Sequence, residues 1–570
     1  MIDFKKTSIF CRLTLAAALL VSAGLSLPRI GQPAAQDELW EYVAADTLLS
    51  SGRPVCYANL DAPMDQHPHL YEFILAAAFK AFGKSEMAAR GAGVLISLLS
   101  ILAVFYSVLK LGAGDERTNL KAALTAALVF AFMPSTIQGG LTLQSDPGLL
   151  VLLVLLLTLS FVRYLADGGA ARGAIFSVLL AAACWGRIVT PLLASGIFFV
   201  FMWSGSQGRV GALKYGAWVL SGLGLFLFSW HIYCGVIGID PYGLFQYLAS
   251  AFQYKSSGSL LEVAAQSGKA LLYVVLWTAA LGAGMFLAHA LPALAGVVRS
   301  KKILMPDFVY LVLGASVVLG YLVVGGDSFG FPKYQSPGLA LLFVFSGLQI
   351  SRAGIFPDRK KALFIIGVSA VSAAIIWGDP VYALRYRLRE LAAAGQSPYY
   401  DVMILFARTA GFLSCIFWVL REGGKAWGRA IYSALPAACL GAGLGMSCLQ
   451  SFSGYQTNYS YGAEKTREAA DYIAGAVPAG AMVFVPSELL RLMGYPPASH
   501  IPDKIWNSPE SILERIRDAR VSAVAYSIAA NTVAQVAAMS ADARIQAELK
   551  AKFRKDRVGS YTIWIRTDTR

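Results

Sequence analysis

The sequence predicts a mainly α, polytopic helical membrane bundle of about thirteen spans, followed by a small α/β domain. Three observations carry that expectation. The 570 residues are 56% hydrophobic and only 14% charged, with a mean hydropathy of +0.57, too apolar for a soluble domain of this length. Apolar runs of spanning length follow one another from Ser8 to about Ser451. After Ser453 the composition turns soluble. The expected organisation is a membrane region over 1–452, whose first long outer loop covers about 29–87, and an extracytoplasmic domain over 453–570.

A bilayer core roughly 30 Å thick is crossed by about 17–25 apolar helical residues. Runs of that kind lie near 8–28, 88–110, 118–135, 146–166, 172–185, 188–205, 211–236, 269–297, 306–325, 335–350, 361–378, 401–420 and 430–450. The fifth and sixth are short and adjoining, so one longer helix is an alternative there. The first, with Lys5, Lys6 and Arg12 around it, is long for a signal peptide and lacks a small-x-small cleavage site, so it reads as a retained signal anchor.

Basic residues fix the orientation, because short cytoplasmic connections are enriched in Lys and Arg. Lys110, Arg117 and Lys121; Arg163 and Arg172; Arg209 and Lys214; Arg299, Lys301 and Lys302; Arg352, Arg359, Lys360 and Lys361; and Arg421, Lys425 and Arg429 all fall on the side of the N-terminus. The N-terminus is therefore expected in the cytoplasm of a plasma (inner) membrane protein, and the C-terminal segment on the periplasmic or extracellular side. One outer loop breaks the pattern: 379–400 holds Arg385, Arg387 and Arg389 among Tyr382, Tyr386 and Tyr399. It reads either as an interfacial amphipathic helix or as an anion-binding segment.

Beyond Ser453 the pattern predicts helices at 464–476, 509–519 and 531–553 and strands at 481–486, 521–526 and 560–566. No Gly-rich phosphate loop or clustered triad occurs there, which points to binding or stabilisation rather than separate catalysis. The net charge of +14 is scattered between apolar runs rather than gathered in a basic stripe, which excludes nucleic acid as a partner. Six of the seven cysteines fall in or beside spans, leaving Cys56 alone in a large loop, so neither a disulfide framework nor a Cys-x-x-Cys metal site follows.

Ionisable residues near the outer ends of spans are the chemical candidates, since a charge at the bilayer centre costs about 2.5–3.5 kcal/mol without compensation. They are Asp37, Glu38, Asp65, His67, His69, Asp146, Arg187, His231, Lys255, Asp327, Lys333 and the three arginines of 379–400. Asp37 and Glu38 precede an amphipathic stretch, 39–49, where a plain helix-capping role is the bland alternative. Asp65, His67 and His69 have metal-ligand spacing but lack a fourth ligand, and His67 reads equally as a pocket residue or a cap for a helix starting near Leu70. No metal site is assigned, and no cofactor is required, with a divalent cation left as the lesser alternative. Trp40, Tyr42, Tyr57, Tyr71 and Trp185 are candidates for stacking on the apolar face of a ligand ring, although Trp185 reads better as an interface anchor.

The order Asp37-Glu38, Trp40-Glu41-Tyr42-Val43-Ala44, His67-Pro68-His69-Leu70-Tyr71 and Phe82-Gly83-Lys84-Ser85-Glu86-Met87-Ala88-Ala89-Arg90 resembles the amino-terminal signature of the dolichyl-phosphate-mannose-protein mannosyltransferase-like enzymes. These belong to the GT-C superfamily, which also holds lipid A aminoarabinose transferases. Downstream, Ser145-Asp146-Pro147 is similar to the family's second outer aspartate, Gly186-Arg187 falls where many members carry a basic residue, and Phe331-Pro332-Lys333-Tyr334-Gln335-Ser336-Pro337 is similar to its basic-x-Tyr-x-x-Pro motif. Two departures stand out: His69 replaces the second proline of a Pro-Pro pair, and Lys333 is followed directly by Tyr334.

The resemblance implies an inverting glycosyltransferase that moves a sugar from a polyprenyl-phosphate donor to a glycan, lipid or protein acceptor at the outer face of the bilayer. It implies Asp37 as the base, Glu38, His67, Asp146 and Tyr334 as donor- or acceptor-binding residues, and Arg187, Lys333, Arg385 and Arg387 as phosphate ligands. An aspartate, with a reference pKa of about 3.9, is ionised at neutral pH and can accept a hydroxyl proton. A polyprenyl-linked lipid flippase or transporter is the alternative from another class. Against it, the candidate charges gather at one membrane face and the two halves show no repeat.

Overall fold

The computed structural model describes residues 2–27, 30–34, 37–56, 59–63, 67–131, 133–204, 208–256, 267, 307–323, 333–353, 465–478, 480–493, 508–527 and 539–567. The expected spans at 269–297, 361–378, 401–420 and 430–450 lie outside these residues. The other nine fall on helices.

Helix α1 (Ile2–Ser26) is followed by α2 (Asp37–Ser51), the short antiparallel pair β1 (Val55–Cys56) and β2 (Asn59–Pro63), and α3 (Leu70–Phe82). Then come α4 (Glu86–Leu111), α5 (Glu116–Ala131), α6 (Pro134–Leu141), α7 (Leu149–Asp167), α8 (Ala170–Gly186), α9 (Val189–Ser204), α10 (Gly208–Ile237) and α11 (Gly243–Ser256). The last described helices of the bundle are α12 (Asp307–Val323) and α13 (Ser336–Ala353). Four described helices, 9–26 within α1, α4, α7 and 209–237 within α10, are long and apolar enough to cross a membrane.

Local chemistry sets several boundaries. The run expected at 118–135 stops at Ala131 because Pro134 cannot continue it and instead opens α6 from its first turn. The runs near 172–185 and 188–205 are two helices, parted at Arg187 and Ile188. Ser85 caps α4 by accepting the Ala88 N–H, and Gly83, with φ of 84°, makes the turn from α3 that a side chain would strain.

The centre of the bundle is α7, whose buried face reaches α4, α8, α9 and α13. Phe161 of α7 stacks on Phe198 of α9 at 3.9 Å, and Phe176 of α8 and Tyr215 of α10 meet it at an angle. By contrast α10 turns Leu213, Leu220, Phe228 and Val236 outward, an apolar surface suited to lipid. At one end of the bundle Ser351 of α13 donates to Asn119 of α5, and the Gly114 N–H is held by both side chains. Beside them Arg352 and Gln349 both bind Asp307, at 2.9 and 2.7 Å.

The described residues between 465 and 567 include a four-stranded sheet in the order β3 (Met482–Phe484), β4 (Val521–Tyr526), β6 (Tyr561–Arg566) and β5 (Phe553–Val558). The β3–β4 pair is parallel and the other two are antiparallel. Helices α14 (Thr466–Ala476) and α15 (Ser487–Leu492) cover one face, and α16 (Pro509–Arg517) and α17 (Ala543–Lys552) the other. The helix expected to run to 553 ends at Lys552, and an unforeseen strand follows. That strand, Phe-Arg-Lys-Asp-Arg-Val, is an edge whose charged residues mask its periodicity and discourage pairing with another chain.

Helices α12 and α13 cross where Gly314 faces Gly338, and a Cβ on Gly314 would lie 2.9 Å from the Gly338 carbonyl oxygen. Gly314→Leu should therefore lose about 1–3 kcal/mol through overpacking and lower the thermal midpoint in detergent. Gly320→Leu on the same helix, where nothing lies within 4 Å, should leave it unchanged.

Candidate functional site

Helix α2 presents Glu38 and Glu41 three residues apart on one buried face, together with Tyr42 and Ala45. Helix α3 packs against it, and Tyr42 meets Phe79 at 5.0 Å. The buried face of α3 is apolar at Leu75, Ala76 and Phe79, yet Glu72 lies on it, 1% exposed. Asp37 is the first residue of α2.

The loop that carries these groups is fixed by Arg90 of α4. Its Nη1 and Nη2 donate to Glu38 Oε1 and Oε2, both at 2.8 Å, while Nε and Nη2 also reach the carbonyls of Gln32 and Pro33 at 3.1 and 3.0 Å. Nη1 donates further to the Leu141 carbonyl, so all five guanidinium N–H groups have acceptors. Glu38 Oε1 in turn accepts the Leu143 N–H at 3.1 Å. Glu38 is fully buried, and its carboxylate ties three segments together. Glu38, expected as a substrate-binding residue, here has both oxygens engaged by Arg90 and the Leu143 N–H.

Asp146, Arg187, Lys333 and Tyr334 lie close together. The turn between α6 and α7 is docked on the end of α8 by Ser145, whose hydroxyl donates to the Gly186 carbonyl at 2.9 Å. Arg187 Nε then stands 3.2 Å from Asp146 Oδ1. Lys333, 3% exposed, donates to Gln144 Oε1 at 2.9 Å and lies 4.8 Å from the centre of the Tyr334 ring, with Arg187 at 6.0 Å from the same ring. Tyr334 stacks on Tyr321, which is hydrogen-bonded to Thr190 at 3.1 Å. Helices α7, α9 and α13 each begin within a few residues of this group, so their positive ends add to the cations.

Glu41 and Glu72 complete the cluster, and sequence reasoning passed over both as candidates. Their carboxyl groups lie within hydrogen-bonding reach of each other, and both lie within electrostatic reach of Arg187. Glu41 also feels Asp146 and Lys333. With both groups ionised, Glu41 Oε2 and both Glu72 oxygens would have no donor among the described residues. One proton between them makes a hydrogen bond that engages two of these three oxygens. Burial, then the neighbouring Glu41, hold the Glu72 carboxyl well above its usual range, and burial raises Glu41. The available signal was helical spacing: Glu72 falls in register with Leu75 and Phe79 on the apolar face of α3, where an acid is out of place.

The remaining candidates sit elsewhere or are not described. His67 meets Tyr247 of α11 edge-on at 5.2 Å. His69 precedes α3 without a side-chain capping bond, and its Nδ1 lies 3.0 Å from the Tyr233 hydroxyl. Among the described residues no three His, Cys, Asp or Glu side chains gather as a metal shell. Tyr42 and Tyr71 are buried in the core, and Trp185 packs among Phe73, Phe226, Trp230 and Tyr233 rather than standing alone as an anchor. Tyr57, Asp65, Asp327, Arg385, Arg387 and Arg389 lie outside the described residues.

Two stability measurements follow. Arg90→Met leaves the Glu38 carboxylate buried without its partner and should cost about 3–5 kcal/mol, read as a large fall in thermal midpoint. The sign for Glu72 is opposite. It binds its proton more tightly folded than unfolded, so its contribution is present below the ordinary carboxyl value of 4.5 and is lost as pH rises through the elevated folded value. Ligand-free Glu72→Gln should therefore melt above wild type at about pH 8, with the gap narrowing toward about pH 5. Parallel melting curves across that range would refute a buried acid.

Residues 66–233 match the dolichyl-phosphate-mannose-protein mannosyltransferase family. No curated protein sequence gives a significant match. Over the whole length the chain is similar to the crystal structure of ArnT from Cupriavidus metallidurans bound to undecaprenyl phosphate, with a TM-score of 0.61 at 14% identity, covering 98% of each chain. The apo structure of the same protein gives 0.59 at 14% identity, covering 97% of each chain. The chain is thus a mainly helical protein with the fold of the ArnT structures, and its residues 66–233 match the dolichyl-phosphate-mannose-protein mannosyltransferase family.

Proposed function

We propose that this protein is an integral-membrane inverting glycosyltransferase that moves a sugar from a polyprenyl-phosphate donor to a glycan, lipid or protein acceptor at the outer face of the membrane. The observation that carries the reading is the convergence of Arg187 and Lys333 on Tyr334, beside a buried acidic group, at the start of three helices. Two cations and three helix N-termini suit a phosphate, and carboxyl groups suit hydroxyls.

In this reading Asp37 accepts the proton of the acceptor hydroxyl as its oxygen attacks the anomeric carbon. The bond from that carbon to the phosphate oxygen breaks, and polyprenyl phosphate leaves with the electron pair. Attack opposite the leaving group inverts the configuration. Arg187 and Lys333 receive the charge that grows on the phosphate, Asp146 orients Arg187, and Tyr334 positions both cations. Arg385 and Arg387 are further phosphate ligands and His67 a donor-side contact. The scheme calls on no metal ion, since protein cations meet the leaving group.

The same reading places the protein in the plasma membrane, with residues 1–452 as its multi-span part and the N-terminus in the cytoplasm. The unit over 453–570 then stands on the periplasmic or extracellular side.

The test reconstitutes the protein in lipid with a panel of radiolabelled polyprenyl-phosphate sugars and an acceptor extract. Wild type should release free polyprenyl phosphate, Asp37→Asn should abolish release while still binding donor, and Lys333→Ala should lower it at least about a hundredfold. Labelled lipid that crosses the bilayer without losing its sugar would replace this reading with a flippase.

A further inference from the structure

Two carboxyl groups buried side by side are costly, and a core that needed only packing would place apolar residues there. Glu41 and Glu72 come from different helices, are 7% and 1% exposed, and lie beside rather than within the Arg187 and Asp146 ion pair. Among the described residues no Lys or Arg donates to either carboxyl, and Arg90 of α4 has all five donors on other groups. The pair is a buried group with unmet acceptors, suited to an uncharged polar ligand.

The ligand's chemistry follows from the neighbours. The pair keeps a negative charge when it holds one proton, so a phosphate is excluded from it and belongs with Lys333 and Arg187. A group joined to that phosphate by a single bond arrives next door. It meets one acceptor carboxylate and one donor carboxyl, and a sugar hydroxyl, which both donates and accepts, satisfies each.

We propose that Glu41 and Glu72 form a proton-sharing pair that binds the hydroxyl groups of the donor's sugar and so selects glycosylated over sugar-free polyprenyl phosphate. This rests on the transferase reading above and adds to it the residues that recognise the glycosyl unit. The charged and titratable groups within electrostatic reach of the pair are Asp146 from the turn before α7, Arg187 between α8 and α9, Lys333 before α13, Tyr71 on α3 and Tyr233 on α10. Loss of the shared proton at alkaline pH removes the donor and puts a second negative charge near the phosphate. Sugar preference therefore falls as pH rises.

The experiment measures binding of undecaprenyl phosphate and of its hexosyl derivatives to the full-length protein in nanodiscs. Wild type should prefer one glycosylated lipid at neutral pH, and the preference should fade at alkaline pH. Glu72→Leu should reduce the preference at least about tenfold while binding the sugar-free lipid within about twofold of wild type, which also verifies its fold. Glu72→Gln, which keeps a donor at every pH, should hold a weaker preference that no longer changes with pH. An undiminished preference in Glu72→Leu would overturn the pair as the sugar subsite while leaving the transferase reading intact. Failure of wild type to bind sugar-free undecaprenyl phosphate would instead remove the donor reading, and the pair's role with it.

Discussion

The bidentate pair between Arg90 and Glu38 is the interaction on which the rest of the site depends. It joins the first turns of α2 and α4 and, through Leu141 and Leu143, the turn that leads to Asp146. A buried charge pair is seldom the most stabilising choice. Its merit here is directional: a planar fork with five donors fixes five acceptors at once, which apolar packing cannot do. The position of Glu41, one turn along α2 from Glu38, is thereby set relative to α7.

Charge is divided across the site. On one side two cations flank an aromatic ring and are tethered by neutral or acidic partners, Lys333 by Gln144 and Arg187 by Asp146. On the other, two acids face each other with no cation of their own. The tethers matter because an unrestrained lysine or arginine spends its entropy on every ligand it binds, whereas one already held in place has less order to lose. The site is in this sense preorganised for an anion and a neutral polyol side by side.

Much of this was legible in the sequence because it is carried by short-range patterns. Apolar runs marked the described long helices, and Pro134, Gly83 and Ser85 explain several of their boundaries. The block from Phe82 to Arg90 makes sense as a turn, a cap and a clamp, so the motif is mostly architectural. What the sequence hid depends on contacts between distant segments. Glu38 stood beside Asp37 and looked chemical, but its fate was decided by Arg90, 52 residues away. Glu72 left a trace, an acid in register with Leu75 and Phe79, but its pairing with Glu41 emerges only when α2 and α3 pack together. The strand at Phe553–Val558 was missed for the opposite reason: an edge strand rich in charge has no alternation to read.

Helix α13 is anchored at both extremities, by Lys333 and Gln144 at its start and by Ser351 and Arg352 at its finish. Each residue of an α-helix advances the chain by about 100° of rotation, so its two sets of anchors agree only at one number of residues. Drift in this helix is therefore open to exchange of one side chain for another and closed to insertion or deletion, even in its middle, where nothing touches the site. The chemistry at one end thus dictates the length of a segment it never meets.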